Sequence, residues 1–170
     1  MRPHALPGAV LALVSWGCTS TSQPEPVDDF AHQKSWAGCH QAYQPTGQLD
    51  ADLRWLARRC AEQLGMTQLT PTVKGAQSAQ QPAERYSFFI PEAGLCTRVI
   101  AVGDAQVRDL DLLLRDPEGA PLVADLTHDN YPLLPPSGPL CFDAPGTYTL
   151  EVSVFEGNGR YALQVWAGLP

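Results

Sequence analysis

The sequence predicts a mainly β protein, with an antiparallel β-sandwich over residues 84–170 preceded by a small, disulfide-clipped helical hairpin over residues 30–69. Three observations predict this. From Glu84 onward, short alternating runs are separated by turn residues at roughly ten-residue intervals, which is typical of a sandwich. Residues 49–64 repeat apolar side chains at helical spacing. Each of the two segments also contains a pair of cysteines.

Composition and charge restrict the class of protein. The 170 residues include 16 prolines and 14 glycines, and 44% are hydrophobic against 17% charged. These values fit a compact chain of one domain, or of one domain with a small appendage. No apolar run approaches the roughly 20 residues that a membrane-spanning helix needs. The net charge of −7 argues against nucleic acid as a partner, because that binding relies on lysine and arginine at phosphates.

The N-terminus has the features of a targeting segment. Arg2 precedes the apolar stretch of residues 5–16, which predicts a signal peptide over residues 1–17. Gly17 and Cys18 are followed by a polar, proline-rich run. This arrangement resembles the lipobox of bacterial lipoproteins, in which the cysteine is diacylated and becomes the mature N-terminus.

The lipobox resemblance implies a lipid on Cys18, a flexible tether over residues 18–29 and a place in the bacterial cell envelope. The family prefers Leu and a small residue where this chain has Ser15 and Trp16. Thr19 stands where many inner-membrane lipoproteins have Asp, which favours the outer membrane. The alternative is an ordinary secretory signal, with Cys18 an incidental thiol.

Cysteine parity is consistent with a lipid on Cys18. Five cysteines in an exported chain leave one unpaired. The other four suit an oxidising compartment and allow three pairings. One bridge within each segment is favoured, which predicts Cys39–Cys60 and Cys96–Cys141. Metal ligation is the competing interpretation, and the lack of any Cys-x-x-Cys pair argues against it.

The helical segment is predicted mainly from residues 49–64, where six side chains form one apolar stripe: Leu49, Leu53, Leu56, Ala57, Cys60 and Leu64. Trp36, Cys39 and Tyr43 have similar spacing and predict the first arm of the hairpin. His32, His40 and Trp36 are interpreted as solvated or half-exposed side chains rather than as a site. Residues 70–83 are nearly uncharged and predict a linker or an extended lead-in strand.

The last part of the chain shows the clearest strand alternation. Residues 146–156 place one set of side chains on a common face: Tyr148, Leu150, Val152 and Val154. Gly157-Asn158-Gly159 predicts a turn into residues 160–166, where Tyr161, Leu163 and Val165 point inward, so that the two runs predict a hairpin. Residues 109–116 align Leu110, Leu112 and Leu114, and a turn follows at Asp116–Gly119. The runs YSFFI, CTRVIAV, PLVADL and PLCFD bring the total to about seven strands.

Several of these motifs also resemble a known family. They are Asp109-Leu110-Asp111-Leu112, Gly119, Gly146-Thr147-Tyr148 and Gly159-Arg160-Tyr161, in this order over residues 84–168. The pattern is similar to the bacterial pre-peptidase C-terminal (PPC) domain. The resemblance implies a jelly-roll-like module of the kind appended to secreted hydrolases, usually not catalytic, which binds matrix or carbohydrate and sometimes calcium. This chain has no protease domain, and it has a cysteine pair that the family does not require.

Acidic residues are concentrated in the predicted sandwich, where residues 84–170 contain 12 acidic against 5 basic side chains. Carboxylate oxygens are the ligands that calcium prefers. The weak calcium candidates are Asp104, Asp109, Asp111, Asp125 and Asp129, with Asn130 beside them. No EF-hand spacing is present, and a solvated acidic face that keeps the domain soluble is the favoured interpretation.

A catalytic site has little support in the sequence. No G-x-S-x-G, H-E-x-x-H or P-loop motif occurs. His128 lies on a long loop, where a site is most easily assembled. Tyr131 and Pro135-Pro136 on the same loop are interpreted as inert surface rather than as a binding lip. Trp166 is interpreted as covering the helical hairpin rather than as a sugar-stacking or partner patch.

The sequence therefore predicts a lipid-anchored envelope protein whose sandwich is a non-catalytic binding or structural module. Its expected partners are the membrane, through the lipid, and an envelope protein or polysaccharide; no cofactor is expected. One alternative is a small secreted hydrolase, or an accessory subunit of one, with His128 in its site. The other is a calcium-stabilised carbohydrate- or matrix-binding module.

Overall fold

The structure of the protein, a computed structural model, describes residues 36–169. The predictions for the signal peptide, Cys18, the tether and His32 lie outside these residues. The described elements are helix α1 (Leu49–Cys60), a 3-10 turn (Glu62–Leu64) and strands β1 (Thr67–Gln68), β2 (Val73–Ser78), β3 (Glu84–Ile90), β4 (Cys96–Gly103), β5 (Val107–Arg115), β6 (Pro121–Ala124), β7 (Leu133–Leu134), β8 (Leu140–Cys141) and β9 (Gly146–Gly168). The predicted antiparallel sandwich is confirmed.

One long strand builds both sheets. The first half of β9 pairs with β3 and β5, and β6 extends β5; we call this the outer sheet. The second half of β9 pairs with β1, β2 and β4, and β4 also pairs with β7 and β8; we call this the helix-side sheet. All of these pairings are antiparallel.

The predicted hairpin at residues 157–159 is therefore wrong, because β9 continues through these residues for 23 residues in all. Gly157 has a φ of 99°, and a Cβ there would lie 2.3 Å from the carbonyl oxygen of Gln106. Glycine lets the strand bend tightly against the turn between β4 and β5. A glycine pair can bend a strand or reverse it, and here each half of β9 is paired with other strands instead of with the opposite half.

The core between the sheets consists of the side chains that the alternation predicts to point inward. Each of the following is at most 6% exposed: Leu110, Leu112, Leu114, Tyr148, Leu150, Val152, Val154, Tyr161, Leu163 and Val165. Full burial of one such side chain stabilises a fold by about 1.5–3 kcal/mol before the entropy cost. Alternation of apolar side chains thus identifies the core of both sheets.

Helix α1 forms a third layer over the helix-side sheet. Leu53 and Leu56 of the helix pack with Ile100 and Trp166 of the sheet in a second apolar cluster. Strand β4 is consequently buried at all eight positions, since the outer sheet covers one face and the helix covers the other. The interpretation of Trp166 as a cover for the helical segment is confirmed, with 8% of the residue exposed.

The helical hairpin itself is only partly described. Of the predicted first arm, Trp36 and Ala37 are helical and residues 38–42 form turns, while residues 30–35 lie outside the described part. Trp36 is 7% exposed, so its interpretation as a half-exposed side chain is wrong. The ring lies under the guanidinium of Arg98, with the Arg98 Cζ 5.5 Å from the ring centroid, and this contact excludes it from solvent.

Both predicted disulfides are confirmed. Cys39–Cys60 joins the turn after Trp36 to the end of α1, over a separation of 21 residues. Cys96–Cys141 joins β4 to β8 at paired positions, over 45 residues. Loops of these lengths predict roughly 3–4 kcal/mol of stabilisation from each bridge in the chain-entropy model.

Residues 70–83 are not a linker. Residues Val73–Ser78 form β2, the second of the two predicted alternatives, and pair in register with β9. The side chain of Gln77 is buried, accepts a hydrogen bond from the Val154 amide at 2.7 Å and donates to the Pro82 carbonyl at 2.6 Å. The helix-side sheet therefore begins before residue 84, because buried hydrogen bonds hold this nearly uncharged run against the sandwich.

Within residues 36–169, no helix combines the length and the apolarity that crossing a membrane requires.

Candidate functional site

The loop after β6 positions most of the candidate residues. Its backbone is hydrogen-bonded to both sheets: the Asp125 amide donates to the Leu112 carbonyl at 2.8 Å, the Leu110 amide donates to the Asp129 carbonyl at 2.9 Å, and the Gly103 amide donates to the Asn130 carbonyl at 2.6 Å. A polar loop thereby crosses from the outer sheet to the helix-side sheet. Its side chains are held at fixed positions on the scaffold.

His128 and Asp109 form a hydrogen-bonded pair on this face. His128 Nδ1 lies 3.0 Å from Asp109 Oδ2, with the His128 side chain 86% exposed and that of Asp109 only 5% exposed. The other oxygen, Asp109 Oδ1, is buried with no hydrogen-bond partner among the described residues. The hydrogen bond and the charge of Asp109 raise the pKa of His128 above its usual value. This pair therefore stabilises the fold at low pH, and its contribution is lost as the pH rises through the raised pKa.

Two further carboxyls on this face, those of Asp111 and Asp125, have pKa values above their usual range. Burial, and then the charge of Asp109, raise the pKa of Asp111. Burial raises the pKa of Asp125 to about 6, with help from the charges of Asp129 and Asp111 and against the hydrogen bonds from Thr127. Asp109 and Asp125 are each 3% exposed and Asp104 is 9% exposed, so the prediction of a solvated acidic face fails for these three residues. The loop that carries His128 packs back over the strand face and excludes water.

Asp125→Asn is expected to stabilise the protein at pH 8 by about 1–2 kcal/mol and to have little effect at pH 4. The raised pKa means that the native state prefers the protonated carboxyl. The contribution of this carboxyl to stability is therefore complete below its unfolded pKa near 4 and is lost as the pH rises through about 6. Chemical denaturation at the two pH values measures the difference. Asp143→Asn, at an exposed position, is the control; an Asp125→Asn variant that is destabilised equally at both pH values contradicts the prediction.

The five calcium candidates do not converge. Among residues 36–169, no three His, Cys, Asp or Glu side chains are grouped so that they could hold a metal ion. Asp104 instead accepts hydrogen bonds from the backbone amides of Arg160 at 3.0 Å and Gln106 at 3.1 Å, at the bend of β9. Burial alone would raise its pKa, but these hydrogen bonds outweigh it and lower the pKa. Asp129 accepts from the Tyr131 amide at 2.9 Å, so backbone donors occupy two of the five carboxylates.

The other loop candidates take part in packing. Tyr131 lies edge-on to Tyr43, with ring centroids 4.9 Å apart, and 6.3 Å from the ring of His40. The Pro136 carbonyl accepts a hydrogen bond from Arg98 at 3.1 Å. His40 is half-buried, and burial followed by the charge of Arg98 lowers its pKa. These contacts connect the loop to the helix layer.

Two surface grooves were not predicted from the sequence. One, of about 680 Å³, lies beside the bend of β9, and its lining includes four residues with amide side chains: Gln77, Gln81, Gln106 and Asn158. The other, of about 450 Å³, lies at the opposite end of β5 and has an apolar floor with acidic residues around it. Each groove is formed by segments that are distant in sequence, so no local pattern could have indicated it.

Arg98 was also missed, although one signal was present. It is a charged residue inside the otherwise apolar run CTRVIAV, and it is fully buried. Charged side chains are almost never fully buried unless they are paired, so a charge at this position indicates a dedicated set of acceptors. In the structure these acceptors are backbone carbonyls of the helix layer and of the loop.

The chain is similar in structure to several solved proteins. No family model and no curated protein matches the chain. The pre-peptidase C-terminal domain of a collagenase from Bacillus anthracis is similar over 57% of this chain and 89% of that domain, with 19% identity and a TM-score of 0.46. The chain is similar in structure to a PPC domain. This is the family that the Asp-Leu-Asp-Leu and Gly-Thr-Tyr motifs resemble, and the sandwich assignment itself rests on the strand pairing described above.

Two structures of a serine protease from Aeromonas sobria are also similar to this chain. The one in complex with the chaperone ORF2 aligns over 62% of this chain with 14% identity and a TM-score of 0.35. The other aligns over 69% with 13% identity and a TM-score of 0.31. The aligned regions cover only 27% and 30% of the matched chains.

Proposed function

We propose that this chain is a lipid-anchored bacterial envelope protein whose β-sandwich is a non-catalytic module that binds an envelope protein or polysaccharide. One observation carries the proposal. The two disulfides use all four cysteines of the described residues. Of the five cysteines in the sequence, this leaves Cys18, which lies outside the described residues and follows Gly17 at the predicted end of the signal peptide.

The binding role is supported by what the polar groups of the sandwich do. The candidate side chains Asp104, Asp125 and Asp129 accept hydrogen bonds from their own scaffold, which suits a rigid surface more than proton transfer. Both grooves are open to solvent, and turns or loops form part of the lining of each; such segments commonly bind ligands on a rigid fold.

The anchor is tested by Cys18→Ser in the full chain, followed by fractionation of the cells and labelling with a fatty-acid analogue. The expected result is a wild-type chain that is labelled and sediments with the outer membrane, and a variant that is unlabelled and released. Ser20→Ala, two residues further along, is the matched control and should behave as wild type. A Cys18→Ser chain that stays in the membrane fraction contradicts the proposal.

A hydrolase is the second candidate because Asp109 orients His128 in the way that a carboxylate orients the imidazole of a triad. In the structure, the imidazole of His128 is hydrogen-bonded to Asp109 through Nδ1. Triad catalysis also needs a nucleophile within reach of His128 Nε2. Ester and peptide substrates are the test. Turnover by the wild type that His128→Ala abolishes would favour the hydrolase over the binding module.

A further inference from the structure

The second groove lies where β5 ends and β9 begins. One wall is formed by residues 116–118, in the turn between β5 and β6, and the other by residues 142–145, the loop between β8 and β9. The two walls meet at the base, where a Cβ on Gly146 would lie 2.9 Å from Pro117 Cγ. The groove is therefore closed below and open to solvent above.

The floor of this groove is apolar. Phe142 and Tyr148 lie side by side, with ring centroids 4.3 Å apart, and each is at most 6% exposed. Leu122 of β6 and Leu140 of β8 complete the floor, and Leu122 is 44% exposed. A large apolar side chain with this exposure, next to other apolar groups, offers contact area to a partner.

Three carboxylates surround this floor: Asp116, Glu118 and Asp143. All three charges act on the same phenol: after burial, Glu118, Asp116 and Asp143 raise the pKa of Tyr148. None of the three forms an ion pair within residues 36–169. The nearby Arg115 is engaged by Glu151 at 2.9 Å and by the Gly119 carbonyl at 3.0 Å. The groove thus combines an apolar floor with an unneutralised negative rim.

We propose that this groove docks an extended segment of a partner protein that inserts a lysine or arginine side chain between Glu118 and Asp143. Such side chains have an aliphatic stem that packs on apolar surface and a charged end that stays at the rim. The stem would lie on Phe142, Tyr148 and Leu122, and the cation would meet the carboxylates. A peptide is favoured over a free amine because β6, which borders the groove, pairs only with β5 among the described strands, and a sheet edge can accept an extended segment.

This inference rests on the proposed binding role but not on the lipid anchor, because every residue involved lies between 116 and 148. The test uses the purified full chain and the probe acetyl-Gly-Thr-Lys-Val-Lys-Thr-Gly-amide. The comparison peptide has both lysines acetylated, which keeps the length and removes the charge. Calorimetric titration at low salt is expected to give at least about tenfold tighter binding for the lysine peptide, a ratio that corresponds to about 1.4 kcal/mol.

The Glu118→Gln/Asp143→Asn variant is expected to lose about tenfold in affinity for the lysine peptide. The control variant, Glu62→Gln/Glu156→Gln, removes the same number of charges away from the groove and should bind as wild type. Equal losses in both variants would mean general attraction to an acidic protein and would overturn the proposal. Equal binding of the acetylated peptide, or no binding at all, would also overturn it.

Two further measurements separate the groove proposal from self-association of the chain and from the lipid anchor. A dimer in sedimentation that the Glu118→Gln/Asp143→Asn variant dissociates would assign the groove to a second copy of the chain and overturn the partner-protein proposal. Fractionation of the Cys18→Ser variant does not depend on the groove, so failure of the peptide test leaves the anchor to be judged separately.

Discussion

Arg98→Ala is expected to lower the free energy of unfolding by about 3–5 kcal/mol, the largest effect predicted for a single substitution in this chain. The guanidinium donates to the carbonyls of Trp36 and Cys60 at 3.3 Å and of Pro136 at 3.1 Å. These carbonyls belong to the first arm, to the end of α1 and to the loop. One side chain of β4 therefore attaches three separate segments to the helix-side sheet.

Two opposing effects decide whether Arg98→Ala lowers or raises the free energy of unfolding. Burial lowers the pKa of Arg98 to about 10, which corresponds to about 3 kcal/mol of desolvation cost that alanine would remove. Against this, three carbonyls would lose a charged donor, at about 1.5–3 kcal/mol each, and a cavity would form. The losses exceed the gain. The Cys60 carbonyl also lies at the negative end of the α1 dipole, where a cation is favourable.

Two variants make the Arg98 result interpretable. Arg98→Met fills most of the volume and removes the donors, so its loss should be smaller, about 1–3 kcal/mol. Arg108→Ala is the matched control: its ion pair with Glu156 is exposed, with 69% of the Arg108 side chain accessible, and should contribute less than about 1 kcal/mol. Urea denaturation of the oxidised proteins measures all three. Equal midpoints for Arg98→Ala and Arg108→Ala would contradict the assigned role.

Gly75→Ala is expected to destabilise the protein by about 2–3 kcal/mol, near the upper end for overpacking. Gly75 pairs with Tyr161 across β2 and β9, and a Cβ at this position would lie 2.4 Å from both Cζ and the hydroxyl oxygen of Tyr161. The ring cannot move aside, because Tyr161 is fully buried and its hydroxyl donates to Glu84 Oε2 at 2.6 Å. The Tyr86 hydroxyl also donates a hydrogen bond to Glu84 Oε2, and its oxygen lies 2.6 Å from the Tyr161 hydroxyl oxygen. The three polar side chains therefore link the two sheets.

Gly138→Ala is the control for Gly75→Ala, since a Cβ at residue 138 would meet nothing within 4 Å. It should change stability by less than about 0.5 kcal/mol. The unfolding temperatures of the two variants and of the wild type, measured under the same conditions, test this prediction. If both variants unfold at the same temperature, the close approach of Tyr161 to β2 does not constrain residue 75.

Much of the fold was predictable from local pattern. The leucines of β5 and the alternating side chains of β9 lie inward as predicted, because the faces of a strand follow directly from its period of two. The cysteine pairs were also predictable, since each pair lies within one structural segment. The candidate site was predicted less well. The long loop does carry His128, which is hydrogen-bonded to Asp109. The calcium candidates, however, were chosen by residue type, and their carboxylates do not converge on one point.

The sequence by itself therefore determined the class of fold, the inward faces of its strands and the two disulfides, because each follows from spacing along the chain. Only the tertiary structure decided that β9 bends instead of turning back, since the same glycines allow both and the partner strands select one. It also decided that backbone carbonyls accept hydrogen bonds from the buried Arg98 and that residues 116–118 and 142–145 form the walls of an acidic groove. These features depend on backbone groups and turns that are far apart in the chain, and contacts between such segments produce no periodic pattern in the sequence.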